Sequence, residues 1–73
     1  MQKRSISLKG HRTSIALEPE FWSALEALAK DAEETLPVLI ARIDRQRLEE
    51  TPTPGLASAL RVFVLQSLVS AAD

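Results

Sequence analysis

The sequence predicts an α+β fold, mainly α: a short N-terminal β-ribbon of one or two strands, two amphipathic helices and a C-terminal apolar helix, assembled as an intertwined homodimer. Three observations predict it. Residues 4–8 and 12–17 alternate polar and apolar side chains with period two, as half-buried strands do. Residues 19–33 and 36–49 repeat apolar side chains at helical spacing. The chain is also 73 residues long and 45% hydrophobic, with no cysteine and a single histidine. A domain of this size buries only about 60% of its unfolded surface and usually needs a disulfide, a metal or a partner chain. One histidine, His11, builds no zinc site alone, which leaves self-association as the route to stability.

Each element has its own local reason. Arg4-Ser5-Ile6-Ser7-Leu8 forms the first strand, and Lys9-Gly10 supplies a turn because glycine accepts positive φ at no steric cost. Arg12-Thr13-Ser14-Ile15-Ala16-Leu17 echoes the first strand. The two runs suit a hairpin, and either one also suits pairing across a dimer axis. Pro19 opens the first helix, where its missing N–H would have had no partner. Phe21, Leu25, Leu28 and Ala32 form its stripe, with Trp22 and Ala29 beside them. Thr35 is an N-cap for the second helix, whose buried stripe is Leu36, Leu39, Ile40 and Ile43, with Arg42, Arg45, Gln46 and Arg47 outward. Thr51-Pro52-Thr53-Pro54-Gly55 cannot stay helical and links to a last helix over 56–71. That helix is apolar almost all round, which predicts burial on several sides at a subunit interface. The whole of 1–73 reads as a single domain.

Charge is unevenly spread. The net charge is -1, yet residues 1–17 hold Lys3, Arg4, Lys9 and Arg12 with no acid, and every acid lies at Glu18 or beyond. A dimer that gathers this positive charge on one edge would attract phosphates. The sequence shows no Ser/His/Asp set, no evident paired carboxylates, no phosphate-cradling glycine loop and no metal cluster, so an enzyme is not expected, nor a metal or small-molecule cofactor. No apolar run reaches the roughly 20 residues of a membrane span, and no signal-peptide core follows Met1. The expectation is a soluble, cytoplasmic protein without membrane association.

A strand leading straight into two helices has a specific logic. If two subunits each lend a strand, Thr13, Ile15 and Leu17 seal against the helices and Arg12, Ser14 and Ala16 all point the other way. A two-stranded ribbon fits the major groove of B-DNA. Arginine can grip guanine O6 and N7, serine can donate or accept, and the alanine methyl can touch thymine.

The run from Arg12 to Leu17, continuing through Glu18-Pro19-Glu20-Phe21-Trp22 to Leu25, resembles the strand-to-helix entry of the ribbon-helix-helix (Arc/MetJ-type) superfamily. The Lys3-Arg4-Ser5 opening, the Gly10-His11-Arg12-Thr13-Ser14 link, the Leu39-Ile40-Ala41 helix and the Ser58-to-Leu65 tail resemble a mostly uncharacterised bacterial family of such domains. The resemblance implies DNA base contacts at Arg12, Ser14 and Ala16. It implies a phosphate clamp at Thr35 and Leu36, where helix N–H groups are free. Lys9 is expected as a further phosphate contact, and Lys3 and Arg4 are candidates for additional DNA contacts. Pro37, which lacks a donor, departs from the pattern. Ile15, Leu17, Phe21, Leu39, Ile43, Leu60 and Phe63 form the expected dimer core. If the first strand flanks the second, a four-stranded sheet is too wide to enter a groove about 12 Å across. Another arrangement uses Arg4, Ser5 and Ser7 as the reading strand. The expected function is a sequence-specific transcriptional regulator, a repressor or an antitoxin of a toxin-antitoxin pair, with itself and double-stranded DNA as partners. The alternative is a protein-protein interaction module that keeps the dimer fold without binding DNA.

Overall fold

The computed structural model describes residues 1–72. The chain runs β1 (Gln2–Leu8), β2 (His11–Leu17), α1 (Pro19–Asp31), α2 (Leu36–Arg47) and α3 (Leu56–Ala72). The ribbon is a hairpin within one chain: β1 and β2 pair antiparallel from Gln2↔Leu17 to Leu8↔His11. Lys9 and Gly10 both hold positive φ, +51° and +79°. Two-residue hairpins need this in a type I′ turn, whose twist matches that of the strands. The ladder expected between subunits is therefore already satisfied inside the chain along one edge of each strand. The sheet has two strands, so among the described residues the other edge of β2 stays unpaired.

Alternation divides the hairpin into two faces. Ile6, Leu8, Ile15 and Leu17 are buried against the helices, and Thr13 is half-buried beside them. Beneath, β1 lies over α2 and β2 over α3, and α2 packs along α3. Trp22, Leu25 and Ala29 of α1, Leu39, Ile40 and Ile43 of α2, and Leu60 and Val64 of α3 complete one core.

The α1 stripe is rotated from the one the spacing predicts. Trp22 is fully buried, Phe21 and Leu28 only partly, and Ala32 is exposed. The cause is the Trp22 side chain, whose Nε1 donates to the Gln2 carbonyl at 2.8 Å. A large ring that finds a partner for its one polar atom can enter the core whole. The same bond ties down the start of β1, which begins two residues earlier than the alternation indicates.

Helix α1 stops at Asp31 rather than 33. Glu34 N–H donates to the Ala29 carbonyl at 2.8 Å and Glu33 N–H to the Lys30 carbonyl at 3.0 Å, closing a Schellman turn. Glu33 takes the left-handed position at φ +56°, where glycine would have signalled the end. Helix α2 ends at Arg47 rather than 49. Its last turn tightens through Glu49 N–H to the Gln46 carbonyl and Glu50 N–H to the Arg47 carbonyl, both 3.1 Å.

Candidate nucleic-acid interface

The outward face of the hairpin carries Lys3, Ser5 and Ser7 from β1 and Arg12, Ser14 and Ala16 from β2. All are exposed except the half-buried Ala16. The register sets Lys3 across from Ala16, Ser5 from Ser14 and Ser7 from Arg12. Lys9 at the turn is exposed beyond them, as is His11 at the start of β2. The face is a strip of hydroxyls and one methyl with cations toward its ends. No acid occurs before Glu18. Short side chains in the middle let the backbone approach another surface closely, while the longer cations reach sideways.

Counting outward from the two-residue turn, Leu8↔His11 is a hydrogen-bonded pair and the pairs alternate from there. The N–H and C=O groups of Arg12, Ser14 and Ala16 therefore point toward the free edge of β2. The residues that present side chains to the outer face also present the backbone groups available for pairing.

Arg4 does not belong to this face. It shares the inner parity of Ile6 and Leu8 and pairs with Glu26 of α1. Its guanidinium carbon lies 4.8 Å from the Trp22 ring centroid, a cation–π distance. The Arg4-Ser5-Ser7 arrangement thus divides, with the two serines outside and the arginine turned to α1.

The expected phosphate clamp at the start of α2 is largely occupied. Thr35 caps the helix by accepting from Val38 N–H at 3.4 Å, its carbonyl accepts from Leu39 N–H at 3.1 Å, and Pro37 has no donor. In the first turn this leaves the Leu36 N–H, close in sequence to Glu33 and Glu34. Glu34 accepts from Arg42 at 3.0 Å. Arg47 donates to Asp44 at 2.8 Å and to the Pro54 carbonyl at 3.1 Å, tying the 48–55 loop to α2.

Of the expected dimer core, Ile15, Leu17, Leu39, Ile43 and Leu60 are buried within the single chain, while Phe21 and Phe63 are only partly covered. Besides Met1, Val38 and Leu48, the apolar side chains left outside lie on α3, where Val62, Leu65, Leu68 and Val69 are 46–64% exposed. Within the single chain, α2, α1 and β2 cover one side of α3, and a subunit interface is the place where the expected further burial would occur. Heptad-like spacing was present in the sequence at these positions, but apolarity all round the helix hid which face the chain itself would cover.

Where β2 runs into α1, Arg61 of α3 donates to both carboxylate oxygens of Glu18, at 3.0 and 3.2 Å. The Glu18 carboxyl titrates below its ordinary range, first because a backbone hydrogen bond favours its charged form and then because Arg61 does.

Residues 1–68 match the sequence model of a ribbon-helix-helix domain family. The chain belongs to the ribbon-helix-helix family. Domains of this family are commonly DNA-binding regulators or antitoxins, typically dimerise, and are typically not enzymes. Comparison with curated proteins and with solved structures gives no match. Among the described residues, no helix is long and apolar enough to cross a membrane. None of their His, Asp and Glu side chains form a group of three able to hold a metal ion.

Proposed function

We propose that this ribbon-helix-helix protein is a sequence-specific DNA-binding regulator, a repressor or an antitoxin, that acts as a dimer and lays the outer face of its ribbon on the major groove. The observation that carries the reading is the acid-free outward face of Lys3, Ser5, Ser7, Arg12, Ser14 and Ala16. Pairing of two β2 edges, antiparallel and centred on Ser14, sets Arg12 against the partner's Ala16 and builds a sheet in the order β1-β2-β2-β1. Three strand spacings of about 4.8 Å make that sheet about 14 Å across, wider than a groove of about 12 Å. Such a sheet lies across the mouth of the groove rather than inside it, with the two β2 strands over its centre, and the long Arg12 side chains reach down toward the base edges. The flanking β1 strands lie over the phosphate rims, where Lys3, Lys9 and the serine hydroxyls contact the backbone. The Leu36 N–H adds one donor at a helix N-terminus.

This division of labour is testable by fluorescence anisotropy with the DNA upstream of the protein's own gene, across a salt series. Arg12→Ala loses about 1–3 kcal/mol of discrimination between that site and random DNA. Lys3→Ala weakens both alike and reduces the log–log salt slope by about one. Unaltered specific binding by Arg12→Ala would remove the assignment of β2 as the reading strand. A second reading, a protein-binding module without DNA affinity, is favoured by the exposed apolar side chains of α3. It predicts no DNA binding by the wild type and a protein association that salt barely changes.

A further inference from the structure

The hairpin has a second open edge. Its sheet holds only β1 and β2, so among the described residues the side of β1 away from β2 is unpaired as well. Leu8↔His11 is a hydrogen-bonded pair, and the alternation from there makes Lys3, Ser5 and Ser7 the β1 residues whose N–H and C=O groups point outward. The same three residues are exposed, with their side chains on the outer face of the ribbon. Two kinds of donor therefore meet at one corner of the sheet: a backbone N–H in its plane, and a hydroxyl or ammonium on its face. Open edges are usually blunted by proline, a bulge or a covering segment. β1 has no proline, and its register with β2 runs unbroken from Gln2 to Leu8.

An unpaired edge offers N–H and C=O groups in equal number, so its backbone alone does not choose between an anion and another strand. The side chains choose. The Ser5 and Ser7 hydroxyls can donate beside their own N–H groups, Lys3 and Lys9 add positive charge, and no acid precedes Glu18. A polyanion fits such an edge. Position agrees. In the β1-β2-β2-β1 sheet proposed above, β1 lies about 7 Å from the centre line, outside the half-width of a groove about 12 Å across. An edge N–H there points at the phosphate rim. The next outward N–H is about 6.6 Å along the strand, similar to the step between neighbouring phosphates of DNA. The helix terminus that could have held these phosphates is mostly spent, since Thr35 takes the Val38 N–H and Pro37 has none.

We infer that the outer edge of β1 is a phosphodiester-binding site, in which the backbone N–H groups of Ser5 and Ser7, each beside its own hydroxyl, hold neighbouring phosphates of one DNA strand. The inference rests on the DNA reading above and adds to it a contact made by the backbone of the chain. Ser5→Pro and Ser7→Pro remove the outward N–H groups without taking a bond from the ladder with β2, whereas Ser5→Ala and Ser7→Ala remove only the hydroxyls. In fluorescence anisotropy with the full chain and the duplex from upstream of its own gene, each proline variant binds about tenfold more weakly than its alanine counterpart, the loss expected when a charged acceptor loses a donor. Random DNA shows the same loss, and the log–log salt slope keeps its wild-type value because no cation is removed. Melting temperature and far-UV spectrum identify the variants whose fold is intact. For a proline that disturbs the strand, a synthetic full-length chain with an ester in place of the Arg4–Ser5 amide removes the same N–H without constraining φ. Neutral methylphosphonates placed one at a time along the rim give the matching result from the DNA side: a neutralised phosphate that weakens wild-type binding costs the N–H-deleted protein little. Folded proline variants that bind as tightly as their alanine counterparts, or an ester chain that binds like wild type, overturn the inference. So do methylphosphonate losses that are equal in wild type and variant. N–H deletion that dissolves a higher oligomer and leaves DNA affinity unchanged assigns the edge to strand pairing instead. A wild-type chain that binds no DNA discards the DNA reading and this contact together, while specific binding untouched by N–H deletion discards only the contact.

Discussion

The outer face of the ribbon and the outer face of α3 are both open to water, yet one is built of hydroxyls and cations and the other of leucine and valine. The ribbon face loses little by staying wet and gains when a polyanion replaces its counterions. The α3 face gains when another apolar surface displaces water. The two share one core that includes Leu17 and Trp22, so a chain this small carries two chemically different outer faces on a single scaffold. Exposure alone therefore says little about purpose, and the chemistry of what is exposed says more.

The largest change to this pairing of faces comes from removing what both rest on. Trp22→Ala empties the centre of the core and leaves the Gln2 carbonyl without its donor. It costs about 3–5 kcal/mol, most of the stability a domain this size holds. Thermal unfolding should show the transition broadened or lost, with both DNA binding and self-association gone. A variant that melts within a few degrees of the wild type would show that the two faces are supported independently.

Gly10→Ala separates them. A Cβ at Gly10 meets nothing within 4 Å, so the cost is the left-handed backbone alone, about 1 kcal/mol. The damage stays in the ribbon: DNA affinity falls while the helices and the core beneath keep their packing. Chemical denaturation with anisotropy on the same preparation measures both. Equal losses in the two readouts would mean that the faces are coupled through the turn.

The smallest effect lies where the faces meet, at Glu18 and Arg61. The folded Glu18 carboxyl titrates lower than the unfolded one, so its contribution to stability is complete above the unfolded value. It is lost as pH falls through the folded one. Wild type should therefore lose a small increment of stability on acidification through the carboxylate range that Glu18→Gln does not lose, read as melting temperature against pH. Parallel curves for the two proteins would show that the Arg61 contact does nothing for the fold.

Much of this was legible in order along the chain. Strand alternation located the ribbon and its outward residues Arg12, Ser14 and Ala16, because a period of two leaves no choice of face once one face is apolar. Pro19, Thr35 and the Thr51–Gly55 run placed the starts and breaks of the helices, because caps and prolines act through the nearest backbone groups. The ends of α1 and α2 were not legible, since they close through backbone carbonyls with Glu33 in a position that sequence reserves for glycine. Arg4 could not be assigned to a face from charge alone, since Glu26 and Trp22, which hold it, lie 22 and 18 residues away.

What the sequence by itself determined is local: which segments extend, which coil, and which residues of a strand look outward, all consequences of periodicity and backbone chemistry over a few residues. Only the tertiary structure decided that the ribbon closes within one chain, that Trp22 rather than Phe21 fills the core, and that α3 keeps an apolar side uncovered. Those outcomes depend on which distant surfaces meet and how much area they remove from water. No window of sequence contains both partners of such a contact.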